Sequence, residues 1–313
     1  RPYDVIADPN SNPKEIFVSG FDSSPLSADY DFITKDNKQT ISKAITILSK
    51  LTNGSINISL RKESDSFLRG LSDVVIHNVS GPHPSGNLST IINKVSPISK
   101  GDIIWTLNLP DLSIIGKALL VGKFSAERII ALAGSSVSNP KYIKTLIGSN
   151  ISSFIKLKEN NSRIISGNVL TGVKLESIAH VRYYSNEITA IPEGNDYDLF
   201  GWAKPMFDKF SVSRALTFSW LFPNKKYDLN TNTNGEHRAF VVTGSFEEVF
   251  PLDIYPMQIL KACMYKDLDE MEALGMYEVS PEDFALTEFI CVSKQPHQNI
   301  IREGLDLMKK EIG

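Results

Sequence analysis

Gly81-Pro82-His83-Pro84-Ser85-Gly86 sets an imidazole between two prolines and two glycines, directly after the apolar run Val74-Val75-Ile76 and ahead of Leu88, Ile91, Ile92 and Val95. The prolines hold the backbone on either side of His83, and the glycines permit turns or close backbone approach. Such a stretch can present His83 to a ligand, or it can be a rigid connection whose imidazole faces water. As a metal site it is poor, since no Cys or acid stands at ligand spacing. A strand that ends in this loop and passes into a helix places the loop at the carboxyl edge of a sheet, where open α/β sheets bind ligands.

Other chemistry is absent from the sequence. No G-x-G-x-x-G occurs, and Gly167 to Lys174 misses the phosphate-loop pattern because Val173 stands where Lys is required. Two cysteines, Cys263 and Cys291, cannot hold a cluster that needs four thiolates. No nucleophile elbow of the G-x-S-x-G type is found. The acidic run Asp267, Asp269, Glu270 and Glu272, with Lys266 beside it, reads as a solvated helix face rather than a cation site.

Length and composition set the frame. A chain of 313 residues with 42% hydrophobic and 22% charged residues suggests two or three globular units and little disorder. A net charge of -3 and the lack of a basic stripe interleaved with aromatics argue against nucleic acid. Even Leu112 to Val121 carries Lys117, so no run can span a bilayer, and membrane association is expected to run through a partner. Arg1-Pro2-Tyr3-Asp4 does not read as a signal peptide, and the chain looks like a fragment of something longer. The two cysteines fit a reducing setting and are expected to be reduced, non-catalytic core residues.

The positioning elements follow from periodicity. Strands are predicted at Glu15 to Gly20, Ser55 to Leu60, Asp73 to His77 and Asp102 to Leu107. The first helix carries Ile41, Ala44, Ile45 and Leu48 on one face, and a later one Leu112, Ile115 and Leu119. Their alternation makes residues 1–125 a Rossmann-like domain with a mainly parallel sheet. Over 126–176, strands Arg128 to Leu132, Tyr142 to Ile147 and Ser162 to Ser166 around Ile151 to Ile155 suggest a small α+β roll of the β-grasp kind. Residues 177–255 read as a β-rich, antiparallel connecting segment, with strands His180 to Tyr184 and Arg238 to Val242 and a hairpin signal at Asn234-Gly235. A helical bundle is expected over 256–313. Met257, Leu260 and Met264 form one stripe and Ile301, Leu305, Met308 and Ile312 another, while Ser280-Pro281-Glu282-Asp283 starts a helix after Gly275 closes its predecessor.

Five motifs in order carry a resemblance: the loop at 81–86, Arg163-Ile164-Ile165-Ser166-Gly167, Leu199-Phe200-Gly201-Trp202-Ala203, Lys209-Phe210-Ser211-Val212-Ser213-Arg214 and Glu282-Asp283-Phe284-Ala285-Leu286. Together they resemble the A-subunit family of sodium-pumping NADH:quinone oxidoreductases, from Arg1 to Gly313. Members of that family carry a further N-terminal domain, and the family is similar to the flavin subunit of respiratory complex I and to the Rnf C subunit. In those relatives a glycine-rich first βα turn holds flavin and C-terminal cysteines hold a cluster. Here Arg1 to Pro9, taken as the corresponding stretch, has no glycine, and the tail has only Cys263 and Cys291.

The resemblance therefore implies a fold retained with both cofactor sites lost: no cofactor in this chain, with flavins and the iron–sulfur cluster on other subunits. It implies a peripheral subunit on the cytoplasmic face of the bacterial inner membrane, in a complex that passes electrons from NADH to ubiquinone and exports sodium. The middle module is similar to soluble-ligand-binding β-grasp (SLBB) domains. Expected partners are the other Nqr subunits, chiefly the membrane B subunit, with ubiquinone as a candidate ligand at Gly81, Pro82, His83, Pro84 and Gly86. No catalytic or metal residue is assigned. Two alternatives stay open, a flavin-dependent NADH dehydrogenase subunit of the complex I or Rnf type and an SLBB module for another soluble ligand.

Overall fold

The computed structural model describes residues 1–176, 179–194, 198–201, 203–204, 207, 209–214, 219–240 and 244–313. Four parallel strands open the chain: β1 (Glu15–Ser19), β2 (Ile56–Arg61), β3 (Val75–Val79) and β4 (Ile104–Asn108), in the order β3-β2-β1-β4. Between them run α1 (Tyr30–Thr34), α2 (Lys38–Leu48) and α3 (Leu88–Val95), and α4 (Leu109–Val121) follows β4. The order reverses between β1 and β4, which makes the carboxyl ends of those two strands the crevice of the sheet.

Both faces of this sheet are covered at β1, whose Ile16, Phe17 and Val18 are all buried. Ile16 and Val18 of β1 enter a core with Ile41, Ala44, Ile45 and Leu48 of α2 and Leu109 and Leu112 of α4. Phe17, on the opposite face, enters a second core with Leu88, Ile91 and Ile92 of α3 and the C-terminal helices. In β2 the expected alternation of buried and exposed residues gives way to burial of Asn57 and Ser59 as well. Asn57 satisfies itself by donating to Glu15 Oε2 at 2.5 Å and bonding His77 Nε2 at 2.9 Å. On α4 the predicted face is rotated: Leu119 is exposed, while Asp111 and Ser113 are buried.

The second unit is a five-stranded mixed sheet of β5 (Glu127–Ala133), β6 (Lys141–Leu146), β7 (Ser162–Ser166), β8 (Val173–Lys174) and β9 (Glu187–Pro192), ordered β6-β5-β9-β7-β8. Its central strand β9 lies parallel to β5 and antiparallel to β7, so the sheet reaches past residue 176. The antiparallel segment expected over 177–255 reduces, among the described residues, to β9. The strand predicted from His180 to Tyr184 is only a single bridge from His180 to Asn150, with Val181 buried in the core of this unit. Arg238 to Phe240 are not in a strand, and Val241 and Val242 lie outside the described residues, as does Trp202. Asn234 does adopt positive φ, without flanking strands.

The C-terminal helices α5 (Pro256–Tyr265), α6 (Leu268–Ala273), α7 (Ala285–Ile290) and α8 (His297–Glu311) pack on one another as expected, and their core continues into Phe17, Ile104 and α3. Ile301, Leu305 and Met308 are fully buried as the stripe predicts, whereas Met264 is exposed and Ile259 and Cys263 take the inward positions on α5. Ser280 and Asp283 form a reciprocal capping box. Asp267 caps α6 by accepting from Glu270 N–H, and Glu272 pairs with Lys100 at 2.9 Å, so the acidic run is a cap and a surface pair.

Both cysteines are free and buried. Burial pushes the Cys263 thiol up to about 12, and its sulfur lies 3.6 Å from Met271 Sδ and 3.8 Å from Met276 Sδ. A thiol so protonated is a small core hydrophobe. Cys263→Ala should cost about 1 kcal/mol in a urea melt and leave quinone reduction by the assembled complex unchanged. Lost turnover in a stable, assembled variant would contradict this.

Candidate functional site

The loop after β3 is built as its residue types require. Gly81 takes φ +121°, a region that disfavours side chains. A Cβ on Gly86 would stand 2.8 Å from both the backbone nitrogen and Oγ of Ser23. That close approach brings the loop after β3 onto the loop after β1, where Gly86 N–H donates to Ser23 Oγ at 2.9 Å and Ser23 Oγ meets His83 Nδ1 at 3.0 Å.

Ser23 Oγ accepts from Gly86 N–H and, with a second lone pair and a proton of its own, can pair with His83 Nδ1 in either tautomer of the ring. Burial lowers the His83 pKa, with Asp22 and Asp283 pulling the other way, so the ring is neutral at physiological pH. His83 Nε2 is buried and has no partner. The imidazole thus faces inward rather than water.

His83 lines a cavity of about 620 Å³. One wall is the crevice of the parallel sheet, with Phe21 and Asp22 after β1, Tyr30 on α1 and Asn108 at the end of β4. The mixed sheet supplies the other wall, with the Gly167 to Gly172 loop after β7 and the turn from Arg182 to Glu187 entering β9; Glu282 closes one side. Of the loop residues, His83 and Gly86 line the cavity, and Gly81, Pro82 and Pro84 do not.

Asn186 lines the same space. Asn186 donates through Nδ2 to Tyr30 Oη at 3.3 Å, which leaves its buried Oδ1 without a partner. The cavity therefore brings His83 and Asn186 together with Tyr183 and Tyr184, whose ring centroids lie 4.8 Å apart. Buried polar atoms are rarely left unpaired unless something else meets them.

The cavity is also acidic. Glu187 is almost fully buried, and burial, reinforced by Asp22, pushes its carboxyl up to about 8, against the Ala28 N–H that it accepts at 2.5 Å. Burial likewise raises Glu282, against its 3.1 Å pairing with Arg1. None of Glu187, Asn186, Tyr30 or Ser23 carries a local motif, and Glu187 bonds Ala28 across a sequence separation of 159 residues, so no spacing in the chain announces them.

The first βα turn of the sheet is residues 20–29, not Arg1 to Pro9, and it holds a glycine. Gly20, however, serves the sheet: a Cβ there would stand 2.5 Å from Ser59 O and from Leu60 Cδ2 of β2. Four amides of this stretch are occupied by the protein itself. Ser24 N–H donates to Asp22 Oδ1 at 2.7 Å, Ala28 N–H to Glu187, Asp29 N–H to Tyr142 Oη at 2.8 Å and Phe32 N–H to Asp29 Oδ1 at 3.1 Å. A phosphate at those four amides would displace the protein's own acceptors and meet the carboxyls of Asp22 and Glu187. Among the described residues no group of three His, Cys, Asp or Glu is placed to hold a metal ion.

Comparison with known proteins adds to the geometry. The family model described as the NqrA second alpha/beta domain matches residues 1–124, and the NQRA C-terminal domain model, of the SLBB type, matches residues 129–177. The A subunit of the Na(+)-translocating NADH-quinone reductase of Neisseria meningitidis serogroup B strain MC58 is 35% identical over 315 residues, covering 99% of this chain and 70% of that protein. Its counterpart in Alcanivorax borkumensis SK2 is 35% identical over 316 residues, and that of Histophilus somni strain 2336 is 34% identical over 314, with the same coverage. A solved NAD+-reducing [NiFe]-hydrogenase aligns with TM-score 0.45 at 11% identity, over 58% of this chain and 41% of that one.

Proposed function

The chain belongs to the NqrA family, the A subunits of the Na(+)-translocating NADH-quinone reductases, and from that premise we propose that it is a peripheral component without a redox group of its own. It serves the complex by docking on the membrane B subunit and by holding a quinone headgroup at the cavity beside His83, at the cytoplasmic face of the bacterial inner membrane. Electrons reach that quinone from flavins and the iron–sulfur cluster of other subunits.

The observation that carries the reading is the lining of one cavity by His83, Asn186, Tyr183 and Tyr184. An imidazole and an amide can hydrogen-bond a quinone carbonyl or a quinol hydroxyl. The tyrosine rings suit a flat, uncharged ring, while the carboxyls disfavour an anion. The flavin alternative is not favoured, because a phosphate at the first βα turn would meet the carboxyls of Asp22 and Glu187.

His83→Ala in the reconstituted complex should raise the apparent quinone KM roughly three- to tenfold, the range for one lost hydrogen bond, with kcat nearly unchanged. Flavin absorbance of the native protein should be absent. An unchanged KM with a lowered melting temperature would reduce His83 to a pin between two loops through Ser23. Stoichiometric flavin would overturn the cofactor-free reading.

A further inference from the structure

The cavity beside His83 has an apolar way out. Among the described residues that line it, only Arg182, Tyr183 and Tyr184 are exposed. The half-buried lining residues, Asp22, Asn108 and Asn168 among them, are all polar or glycine. The turn that enters β9 is therefore the mouth of the cavity. Its two tyrosines, 43% and 63% exposed, belong to the wall and to the outer surface together.

Apolar surface continues outside the mouth. The Phe124 ring stacks on that of Tyr183 with centroids 6.3 Å apart, and Tyr183 meets Tyr184 edge-on at 4.8 Å. Phe124 is itself 59% exposed, and just before it α4 ends in the exposed Leu120 and Val121, closed by Gly122 in the left-handed conformation. Exposed apolar side chains scattered singly need no explanation, whereas a contiguous group opening from a cavity has the form of a ligand groove.

We infer that the strip of Tyr184, Tyr183 and Phe124 carries the prenyl tail of the quinone whose headgroup occupies the cavity, so that this chain selects a lipid-soluble quinone over a water-soluble one. The inference rests on the quinone reading and adds the part of the ligand which that reading leaves unplaced. A prenyl tail is uncharged and makes no hydrogen bonds, so holding it in water, or against the polar lining residues, forfeits the free energy of burying its carbons. The three rings are the apolar surface it meets on leaving the mouth. Lys123 and Arg182 stand next to the strip in sequence, and Glu127 beyond it is paired with Lys144 at 3.0 Å. An uncharged tail needs none of these charges, and the stems of the two cations can add apolar cover. A protein partner seated on the same rings would close the mouth to the headgroup.

The test is quinone kinetics of the reconstituted complex with two substrates, a ubiquinone carrying no prenyl unit and one carrying two. Phe124→Ser should raise the apparent KM for the prenylated quinone roughly three- to tenfold, the loss expected for part of one aromatic contact. Its KM for the tail-less quinone should stay at the wild-type value, with the melting temperature unchanged. Phe124→Leu keeps an apolar surface and should restore most of the preference. Equal rises for both quinones, or no rise for either, would overturn the tail site, and loss of assembly with the other subunits would overturn it in favour of a protein contact. His83→Ala is expected instead to raise the KM for both quinones alike. A His83 effect without a Phe124 effect thus ends the tail inference and leaves the headgroup reading standing, and a Phe124 effect confined to the prenylated quinone, with His83 silent, does the reverse.

Discussion

Arg128→Ala should unfold this protein about 3–5 kcal/mol more readily than wild type in urea, the cost of leaving a buried charge without its partner. Arg128, on β5, and Asp111, in the first turn of α4, form a direct ion pair with side chains 2% and 11% exposed. Burial raises the Asp111 pKa even with Arg128 beside it, so the carboxylate depends on the guanidinium. Arg128→Met with Asp111→Leu should recover most of the loss, because apolar replacement of both partners removes the uncompensated charge. The pair spans the seam between the parallel sheet and the mixed sheet, the same seam that opens into the cavity. The single variant should therefore also raise the apparent quinone KM of the complex. An Arg128→Ala protein within about 1 kcal/mol of wild type would show that this pair does not hold the two units together.

What could be read in the chain beforehand follows a physical division. Local periodicity placed α2 and its buried face of Ile41, Ala44, Ile45 and Leu48, and apolar runs placed β1, β2, β4 and β7 to within a residue or two, because these signals lie within one turn or one pleat. Where a neighbouring element decides the face, periodicity misled. Leu119 and Met264 fit their stripes and are exposed, while Asp111 is buried because Arg128 arrives from the next strand. The mixed sheet was cut short for the same reason: β9 holds its place only by pairing with β5 and β7, from more than fifty and about twenty residues away in sequence.

The site divides along the same line. The glycines and prolines around His83 announced a constrained loop at the carboxyl edge of a sheet, and the loop is there. Its direction was not legible, since it depends on Ser23, 60 residues away in sequence, bonding His83 Nδ1. Asn186, Glu187 and Tyr30 come from other strands and helices, and only the fold brings them together.

Glu187→Gln should make the protein more stable above neutral pH, and the sign follows from the direction of the shift. The folded carboxyl titrates at about 8 and the unfolded one near 4.5. Between those values the native chain keeps a proton that the unfolded chain has released, so stability is fully present below about 4.5 and is lost as pH rises toward 8. The loss amounts to a few kcal/mol by the end of that window. Gln keeps an oxygen for Ala28 N–H and cannot ionise, so the variant should match wild type near pH 5 and exceed it by a few kcal/mol at about pH 8.5. His297 acts in the opposite direction. Burial depresses it to about 4, so its contribution is lost as pH falls from 6.5 toward 4, and it cancels in the difference between variant and wild type. Urea unfolding from about pH 5 to 9 checks this, and parallel curves would show Glu187 ionised throughout. A neutral Glu187 also bears on the cavity: below about pH 8 the wall beside Asn186 carries one charge fewer, which suits an uncharged headgroup, and quinone affinity of the wild-type complex should weaken above that pH while the Gln variant's stays level.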